Sequence, residues 1–315
     1  MNKLLKRAFT LIELLVVIAI IGILSGLIVV SMSGVTQKAT IAKAQIFSNS
    51  LRNSLMLNIV AEWKFDEASG IAANDSWGGR SNGALVGFTN TTAGYGDSSA
   101  NITGWMSSSS CVSGTCLEFD SSVAAYVDCG AETNLNITSA ATISVWAKKN
   151  YILSTLFKGI LGKHQVVGGG TLSYRIGAYG DRVLVTTLGL TDSSIESPAG
   201  SYDSTEWTHI AFVYSGSYKY IYINGVSLVS EPATGSINTS VKKLIIGGDG
   251  DGGGGSESGN RFSGLIDDVR IYNVAMSTSQ IKEQYYVGLN KLLINGAISS
   301  GEYAERVEAA KLSIK

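Results

Sequence analysis

The chain has 315 residues, a net charge of −1 and 16% charged residues, with 37 Gly but only 2 Pro. A chain so close to neutrality has neither the basic surface typical of nucleic-acid binding nor an acidic tail. Its length is sufficient for a large folded domain in addition to an N-terminal segment.

The N-terminus divides sharply into a basic part and an apolar part. A basic segment, residues 3–7, precedes an apolar run from Phe9 to Met32 in which Glu13 is the only ionisable residue. The run is longer than the apolar part of an ordinary secretory signal and long enough for a membrane helix. A carboxylate at that depth is costly unless it is paired, which marks Glu13 as a functional residue.

The string FTLIE directly after a basic leader resembles the N-terminus of type IV prepilins and type II secretion pseudopilins. The resemblance implies that a prepilin peptidase cuts between Ala8 and Phe9 and that the new amine is methylated. It also implies that Glu13 pairs with the Phe9 amine of a neighbouring subunit during filament assembly. Ala8 stands where Gly is usual before the cut, and Val30 where many such helices have Pro.

The same resemblance implies a location and partners. We expect the protein to be held in the inner (cytoplasmic) membrane by one helix, and then to reach the cell surface or a pilus with its head outside. The expected partners are other pilin subunits, the prepilin peptidase/methyltransferase and, for the head, a glycan or a surface protein. An ordinary membrane anchor fits the length of the apolar run but gives no reason for Glu13.

Beyond the apolar run, hydrophobic residues continue at steps of three and four as far as Ile59, which is the helical period. This pattern predicts one helix from Phe9 to about Leu57, roughly 75 Å long at about 1.5 Å per residue. Its second half is amphipathic, and we expect it to pack against a globular head.

From Glu62 to Tyr272, short β-branched and aromatic runs alternate with Gly, Ser, Asn and Asp. This spacing is typical of an all-β sandwich. Asn224-Gly225 is the strongest hairpin signal, because both residues tolerate the positive φ of a type I′ turn.

Several strings in this region resemble the laminin G-like, concanavalin A-like jelly roll. They are WKFDEASG (63–70), CLEFD with AYVDCG, ATISVWAK (141–148), EWTHIAFVYSGSYKYIYINGV (206–226) and GLIDDVRIYNVAMSTSQI (264–281). The predicted fold class is mainly β: a long N-terminal α-helix, an antiparallel jelly-roll β-sandwich and a short C-terminal helical hairpin. The predicted segments are a leader (1–8), a helix (9–60), a jelly roll (61–276) and a helical tail (277–315).

The tail has two helix-start signals. Ser277 with Gln280, and Ser299 with Glu302, have the spacing of capping boxes. We expect the first helix to run to about Leu289, and the tail either to pack on the sandwich or to fray in solvent.

Three cysteines leave two disulfide pairings open. Cys111 and Cys116 flank a short loop, whereas Cys116 and Cys129 lie near the ends of a predicted hairpin and could face each other across its strands. Only one bond can form, and the Cys111–Cys116 pair is the favoured one. Neither bond carries catalytic meaning, and metal binding by such unevenly spaced cysteines is not expected.

The jelly-roll resemblance implies a structural Ca²⁺ between the first loop and the last strand, because related sandwiches often bind one there. Asp75 and Asn82, with Asp267 or Asp268, would supply the oxygen ligands that Ca²⁺ prefers. The alternative is that Asp75 caps a turn and one residue of the Asp pair faces solvent.

The sequence offers little for catalysis. Sandwich glycosidases need two carboxylates facing a sugar, but no Glu-x-Asp-x-Glu string or one-residue variant is present, and neighbouring strand residues point to opposite faces. His209 lies in a core-type strand, and we expect it to be packed rather than basic. We therefore expect no catalytic residues. Trp77 and Trp105 lie in loop-like stretches and are candidates for a ligand surface.

Together these features predict a pilin-like subunit, minor or at the tip of a type IV pilus, that polymerises through its helix and displays a binding domain for adhesion. A type II secretion pseudopilin and a non-polymerising membrane-anchored lectin are the alternatives, with a carbohydrate-active enzyme a more distant one.

Overall fold

The computed structural model describes residues 11–25, 46, 50, 56–91, 103–123, 125–151, 156–163, 172–202, 205–250 and 260–312. The chain forms two compact units, Met1–Asn49 and Ser50–Lys315, each described by itself. In the first unit, helix α1 covers residues 11–25, within the predicted apolar helix. Most of that predicted helix beyond α1 lies outside the described residues. Among the described residues, no helix is both long enough and apolar enough to cross a membrane.

The second unit is an antiparallel β-sandwich, as predicted. Its first sheet holds eight strands, numbered here along the chain. In spatial order they are β14 (Val226–Pro232), β13 (Tyr218–Ile223), β12 (Thr208–Tyr214), β7 (Ala141–Lys149), β16 (Gly264–Tyr272), β5 (Cys116–Phe119) and β4 (Gly104–Met106), with β1 (Ile59–Trp63) also paired to β16.

The second sheet also holds eight strands. Their order is β11 (Ser194–Glu196), β10 (Arg182–Thr187), β9 (Tyr174–Tyr179), β8 (Phe157–Lys163), β15 (Leu244–Ile246), β6 (Tyr126–Asp128), β3 (Gly83–Val86) and β2 (Ala72–Ala73). Inward side chains of both sheets form one core, to which β7 contributes Ile143 and Val145, β9 Ile176 and β12 Phe212. Each such side chain stabilises the fold by about 1.5–3 kcal/mol through burial.

The predicted hairpin turn is present between β13 and β14. Asn224 and Gly225 have φ values of 50° and 77°, as a type I′ turn requires. Strand β1 begins at Ile59, two residues before the predicted boundary of the head, because Ile59 pairs with Tyr272 in β16.

A bulge divides β16 into two pairing halves. Its first half pairs with β5 and its second half with β1, and its register against β7 shifts between Asp267 and Arg270. Asp268 lies in that interval with φ 48°, a left-handed conformation that strand residues rarely adopt.

The C-terminal tail packs on the outside of the first sheet as a third layer. Helix α2 (Thr278–Ile294) starts at the predicted capping box and runs five residues past Leu289, and α3 (Ser300–Leu312) follows. Trp146 of β7 lies beneath α2, stacked on Tyr285 with ring centroids 5.8 Å apart. Gly288 makes this approach possible, because a Cβ there would lie 2.4 Å from the indole. The tail is therefore an integral layer of the head.

Candidate functional site

The loop after β2 is organised by one buried carboxylate. Asp75 Oδ1 accepts hydrogen bonds from the backbone N–H groups of Glu62 and Trp77 at 3.1 Å and of Gly78 at 3.4 Å. Its Oδ2 accepts from the N–H of Ser81 at 3.3 Å. Four backbone donors converging on one side chain fix the loop against β1, which matches the turn-capping alternative for Asp75.

Asn82 holds the backbone of Asp75 in place. Its Oδ1 accepts a 2.9 Å hydrogen bond from the N–H of Asp75. The indole N–H of Trp63, in β1, donates to the carbonyl of Ser81 at 2.9 Å. We call residues 74–82 the aspartate loop.

The aspartate loop forms one wall of a cavity of about 590 Å³. Trp77 and Arg80 line it from the loop, and the start of β1 and the segment that leads into β7 close the other sides. The full lining is Ile59, Val60, Trp77, Gly78, Arg80, Thr133, Asn134, Asn136, Ile137, Thr138, Ser139, Ala140 and Asn273. The cavity therefore combines one aromatic ring, three amides, three hydroxyl groups and one guanidinium.

Trp77 is half-buried, as expected of a ring that is held on one side and open on the other. It packs against an apolar cluster on the outer face of the first sheet, which includes Val213, Tyr220 and Ile59. An aromatic face with polar groups around it is suited to a ligand that is apolar on one face and hydroxylated at its edge, as a sugar ring is. The structure thus places Trp77 where a ligand could reach it.

The prediction for Trp105 is wrong. Its side chain is fully buried in the core between the sheets, and its indole N–H donates to the carbonyl of Gly70 at 2.9 Å. Trp105 lies in β4, which pairs with β5. This strand is only three residues long, too short to show the alternation that would have predicted it.

Asp267 and Asp268, the other predicted calcium ligands, lie at the bulge in β16. Asp267 Oδ2 accepts from the N–H groups of Val112 at 2.9 Å and Ser113 at 3.0 Å, and its Oδ1 accepts from the N–H of Asp268 at 2.7 Å. Burial and the adjacent Asp268 raise the pKa of Asp267, although the hydrogen bond from Ser113 opposes the rise. Asp267 therefore anchors the loop before β5 and does not face solvent.

Asp268 belongs to a buried ion-pair cluster. Arg270 Nη2 lies 2.9 Å and Lys291 Nζ 3.4 Å from its two carboxylate oxygens, and Arg270 Nε lies 2.8 Å from Glu62 Oε1. Burial favours a neutral Asp268, but Arg270 and Lys291 outweigh it and lower its pKa to about 2. Burial likewise opposes ionisation of Glu62, whose pKa is nevertheless lowered by Arg270, Ser76 and Lys64.

The four predicted calcium ligands are all engaged by protein groups. Ca²⁺ requires six to eight oxygens, whereas those of Asp75 and Asp267 are occupied by backbone donors and those of Asp268 by two cations. Among the described residues, no group of three or more acidic, histidine or cysteine residues could hold a metal. The aspartates instead stabilise loops and strands.

His209 is packed, as expected, and is not placed for acid–base chemistry. Its ring lies 5.3 Å from that of Trp146 and 6.2 Å from that of Tyr285, and only 1% of the residue is exposed. Burial, and then the nearby Arg270, lower its pKa to about 3. Its Nδ1 has no hydrogen-bond partner among the described residues, whereas its backbone N–H donates to Asn224 Oδ1 at 3.0 Å and its carbonyl accepts from the N–H of Asn224 at 2.8 Å.

The structure forms the favoured disulfide, with the Cα atoms of Cys111 and Cys116 5.5 Å apart. Cys129 is a buried free cysteine in the inter-sheet core. The disulfide loop lies under the tail, where the side-chain amide of Asn295 donates to the carbonyl of Val112 at 3.1 Å. Its role is thus to support the third layer.

At the N-terminus, Glu13 lies in α1. Ala8 and Phe9, the predicted cleavage site, lie outside the described residues.

Comparison with known proteins identifies two segments of the chain, one at the N-terminus and one in the middle. The prokaryotic N-terminal methylation motif matches residues 4–29, so the predicted pilin-like leader is present. The family described as the concanavalin A-like lectin/glucanases superfamily matches residues 120–282, just over half of the chain. No curated protein sequence matches the chain significantly.

Solved structures agree on the fold. The binding domain of Paraclostridial Mosquitocidal Protein 1 superposes with a TM-score of 0.52 at 17% identity, over 75% of this chain and 53% of that one. A botulinum neurotoxin type C structure gives 0.51 at 14% identity, over 75% and 52%. The receptor binding domain of a botulinum neurotoxin C/D mosaic serotype gives 0.50 at 13% identity, over 74% and 52%.

This chain therefore spans about half the length of the proteins it matches, and at such identities the likeness concerns the fold alone. A prokaryotic N-terminal methylation motif precedes the domain that the family model matches. Because that match covers more than half of the chain, the chain belongs to the concanavalin A-like lectin/glucanase superfamily.

Proposed function

We propose that this protein is a pilin-like subunit that polymerises through its N-terminal helix and displays a non-catalytic, carbohydrate-binding head outside the cell. The observation that carries the proposal is the combination of a methylation motif and a lectin-type domain in one chain. The motif provides processing and assembly, and the domain provides recognition. The head is large for a repeating subunit, which favours a minor or tip position.

The role of the helix rests on Glu13. A carboxylate in an apolar segment requires a partner, and the amine that cleavage would create at Phe9 of a neighbouring subunit supplies the opposite charge. Cells that produce the Glu13→Ala variant should retain the protein in the membrane fraction and lose it from filaments sheared off the surface. Glu302→Ala, at the start of α3, is the matched control and should assemble normally.

The experiment separates the proposal from its alternatives. Wild-type protein that never appears in sheared filaments, and surface display that does not depend on Glu13, would favour a non-polymerising membrane-anchored lectin. Short assemblies confined to the cell envelope, with loss of secreted proteins when the gene is deleted, would favour a type II secretion pseudopilin.

The role of the head rests on the cavity beside Trp77. Its aromatic ring, amides and hydroxyl groups match the two kinds of surface that a sugar presents. The full-length protein should bind immobilised glycans, and Trp77→Ala should abolish this binding without lowering the melting temperature by more than a few degrees. A protein that binds none of a broad panel of neutral and acidic saccharides would overturn the carbohydrate part of the proposal and favour a surface protein as ligand.

A further inference from the structure

We propose that the cavity beside Trp77 binds a saccharide that carries a carboxylate, and that Arg80 is the group that meets this carboxylate. The inference rests on the proposed carbohydrate-binding function of the head and adds the chemical class of the ligand.

The cavity lining has a positively charged side chain and, among the described residues, no negatively charged one. Among the described residues that line the cavity, Arg80 is the only one with a charged side chain, and none is Asp or Glu. Arg80 is solvent-exposed and forms no ion pair with any residue that the structure describes. An arginine left without a carboxylate at the edge of a cavity favours an anionic ligand over a neutral or cationic one.

Three acidic residues that lie in or near the lining segments in the sequence are engaged elsewhere or lie outside the lining. The carboxylate of Asp75 is buried and accepts hydrogen bonds from four backbone N–H groups. Glu62 is paired with Arg270. Glu132 precedes the segment 133–140 but does not line the cavity. None of the three is paired with Arg80.

The loop presents the ring and the cation to the same space. Trp77 and Arg80 are three residues apart, and the backbone between them turns at Gly79, which has φ 63°. Because Asp75 holds the N–H groups of Trp77 and Gly78, this arrangement exists before a ligand arrives. A preorganised pair of this kind lowers the entropic cost of binding.

The lining also has side-chain amide donors available. Asn136 uses its Oδ1 to accept from the N–H of Ser240 at 3.0 Å, and its Nδ2 has no partner among the described residues. Asn273 lines the cavity as well, and its side-chain amide makes no hydrogen bond to a described residue. Hydroxyl groups of a sugar would accept from these amides while its carboxylate accepts from the guanidinium.

The decisive experiment compares ligands that differ only in charge. Isothermal titration of the full-length protein should use trigalacturonate against its methyl ester, and 3′-sialyllactose against lactose. The protein should be kept in a polyoxyethylene-ether detergent, because sugar-headed detergents would compete for the cavity. We expect at least one of the two acids to bind about tenfold more tightly than its uncharged counterpart at low ionic strength, and this preference to shrink at 0.3 M salt.

Variants then assign the preference to Arg80. Arg80→Gln should remove the roughly tenfold preference, so that the acid and its uncharged counterpart bind with affinities within about twofold of each other. Arg182→Gln, which changes an exposed arginine of β10 in the second sheet, is the matched control and should retain it. Both arginines are exposed, so neither change should alter the melting temperature appreciably.

The outcomes separate this inference from the proposed function. Neutral saccharides that bind as tightly as the acids, or an acid preference that survives in Arg80→Gln, would overturn the assignment of the ligand class and leave the carbohydrate-binding head intact. A wild-type protein that binds neither member of either pair, nor any glycan of the broader panel, would overturn both.

Discussion

Asp268 and Arg270 form a buried ion pair across the bulge in β16, with Arg270 Nη2 2.9 Å from Asp268 Oδ1. Through Glu62 and Lys291, the pair connects the first strand, the last strand and helix α2. The backbone of Asp268 is left-handed and lies where the regular pairing of β16 with β7 is interrupted. In this conformation its carboxylate points to Arg270 and Lys291. The cluster thus joins the beginning of the head to its C-terminal layer.

Loss of Asp268 should destabilise the head strongly. Asp268→Ala leaves Arg270 without one of its two carboxylates in a buried position, a change that costs about 3–5 kcal/mol in comparable cases. For a domain of this size, the melting temperature should fall by roughly 10 °C. Differential scanning calorimetry checks the value. The matched control is Glu308→Ala, which removes an exposed pair with Lys311 and should leave the melting temperature nearly unchanged.

The same carboxylate should contribute to acid unfolding. The pKa of Asp268 is about 2 in the folded protein, below its ordinary value of 3.8. A carboxyl whose folded pKa is lowered stabilises the protein fully above its unfolded pKa, and this contribution is lost as the pH falls through the folded value. Wild-type stability should therefore decline between about pH 4 and pH 2, and Asp268→Asn should show a smaller decline. Equal declines would contradict the ion pair.

His209 should make stability depend on pH in a higher range. Its folded pKa of about 3 lies below its ordinary value of 6.5, so the unfolded chain binds a proton that the folded protein does not. Above about pH 6.5, His209 therefore does not lower the free energy of unfolding. Below that pH, the free energy of unfolding falls by about 1.4 kcal/mol per pH unit. Urea titrations between pH 6.5 and 4.5 measure this slope. His209→Phe, which keeps an aromatic ring beside Trp146, should flatten it, and an unchanged slope would rule His209 out as the cause.

Calcium should have no effect on the head. Melting curves of the wild type in excess Ca²⁺ and in chelator should coincide, because the oxygens of Asp75 already accept backbone N–H groups. Asp75→Ala should lower the melting temperature equally in both buffers, since it leaves buried donors unsatisfied at about 1–3 kcal/mol. A rise in melting temperature with Ca²⁺ that this variant abolishes would restore the calcium site predicted from the sequence.

The disulfide should contribute a modest part of the stability. Closing a loop of about five residues constrains the unfolded chain by about 2 kcal/mol, so reduction should lower the melting temperature by roughly 4–8 °C. The double variant Cys111→Ala/Cys116→Ala should melt at the reduced temperature with or without reductant. Cys129→Ala, which removes the free cysteine of the core, should keep the response to reductant. If it also lost that response, the pairing would be the alternative one.

The mature protein should begin at Phe9. The methylation motif covers residues 4–29, and the resemblance to prepilins implies a cut after Ala8 within it. Mass spectrometry of the protein from its native membrane should find an N-methylated Phe9, and Ala8→Gly should process at least as efficiently. A mature chain that still begins with Met1 would contradict the prediction.

The local features of this protein were predictable from the sequence alone. The apolar run with Glu13 and the alternating strands are properties of adjacent residues, because helical and strand periods repeat within a few positions. The turn at Asn224-Gly225 and the cap at Ser277 likewise depend on the conformational preferences of one or two residues. The close spacing of Cys111 and Cys116 favoured their pairing for the same reason.

The tertiary structure decided what distant residues do together. Asp75 and Asp268 have the residue type of calcium ligands, but their partners come from β1, the aspartate loop, β16 and α2, and these partners occupy their oxygens. Trp77 and Trp105 both lie near turns, yet strand pairing buries Trp105 in the core and leaves Trp77 in the wall of a cavity. Whether a side chain is a ligand, a cap or a core residue depends on long-range contacts, and these form only when the two sheets and the tail pack together.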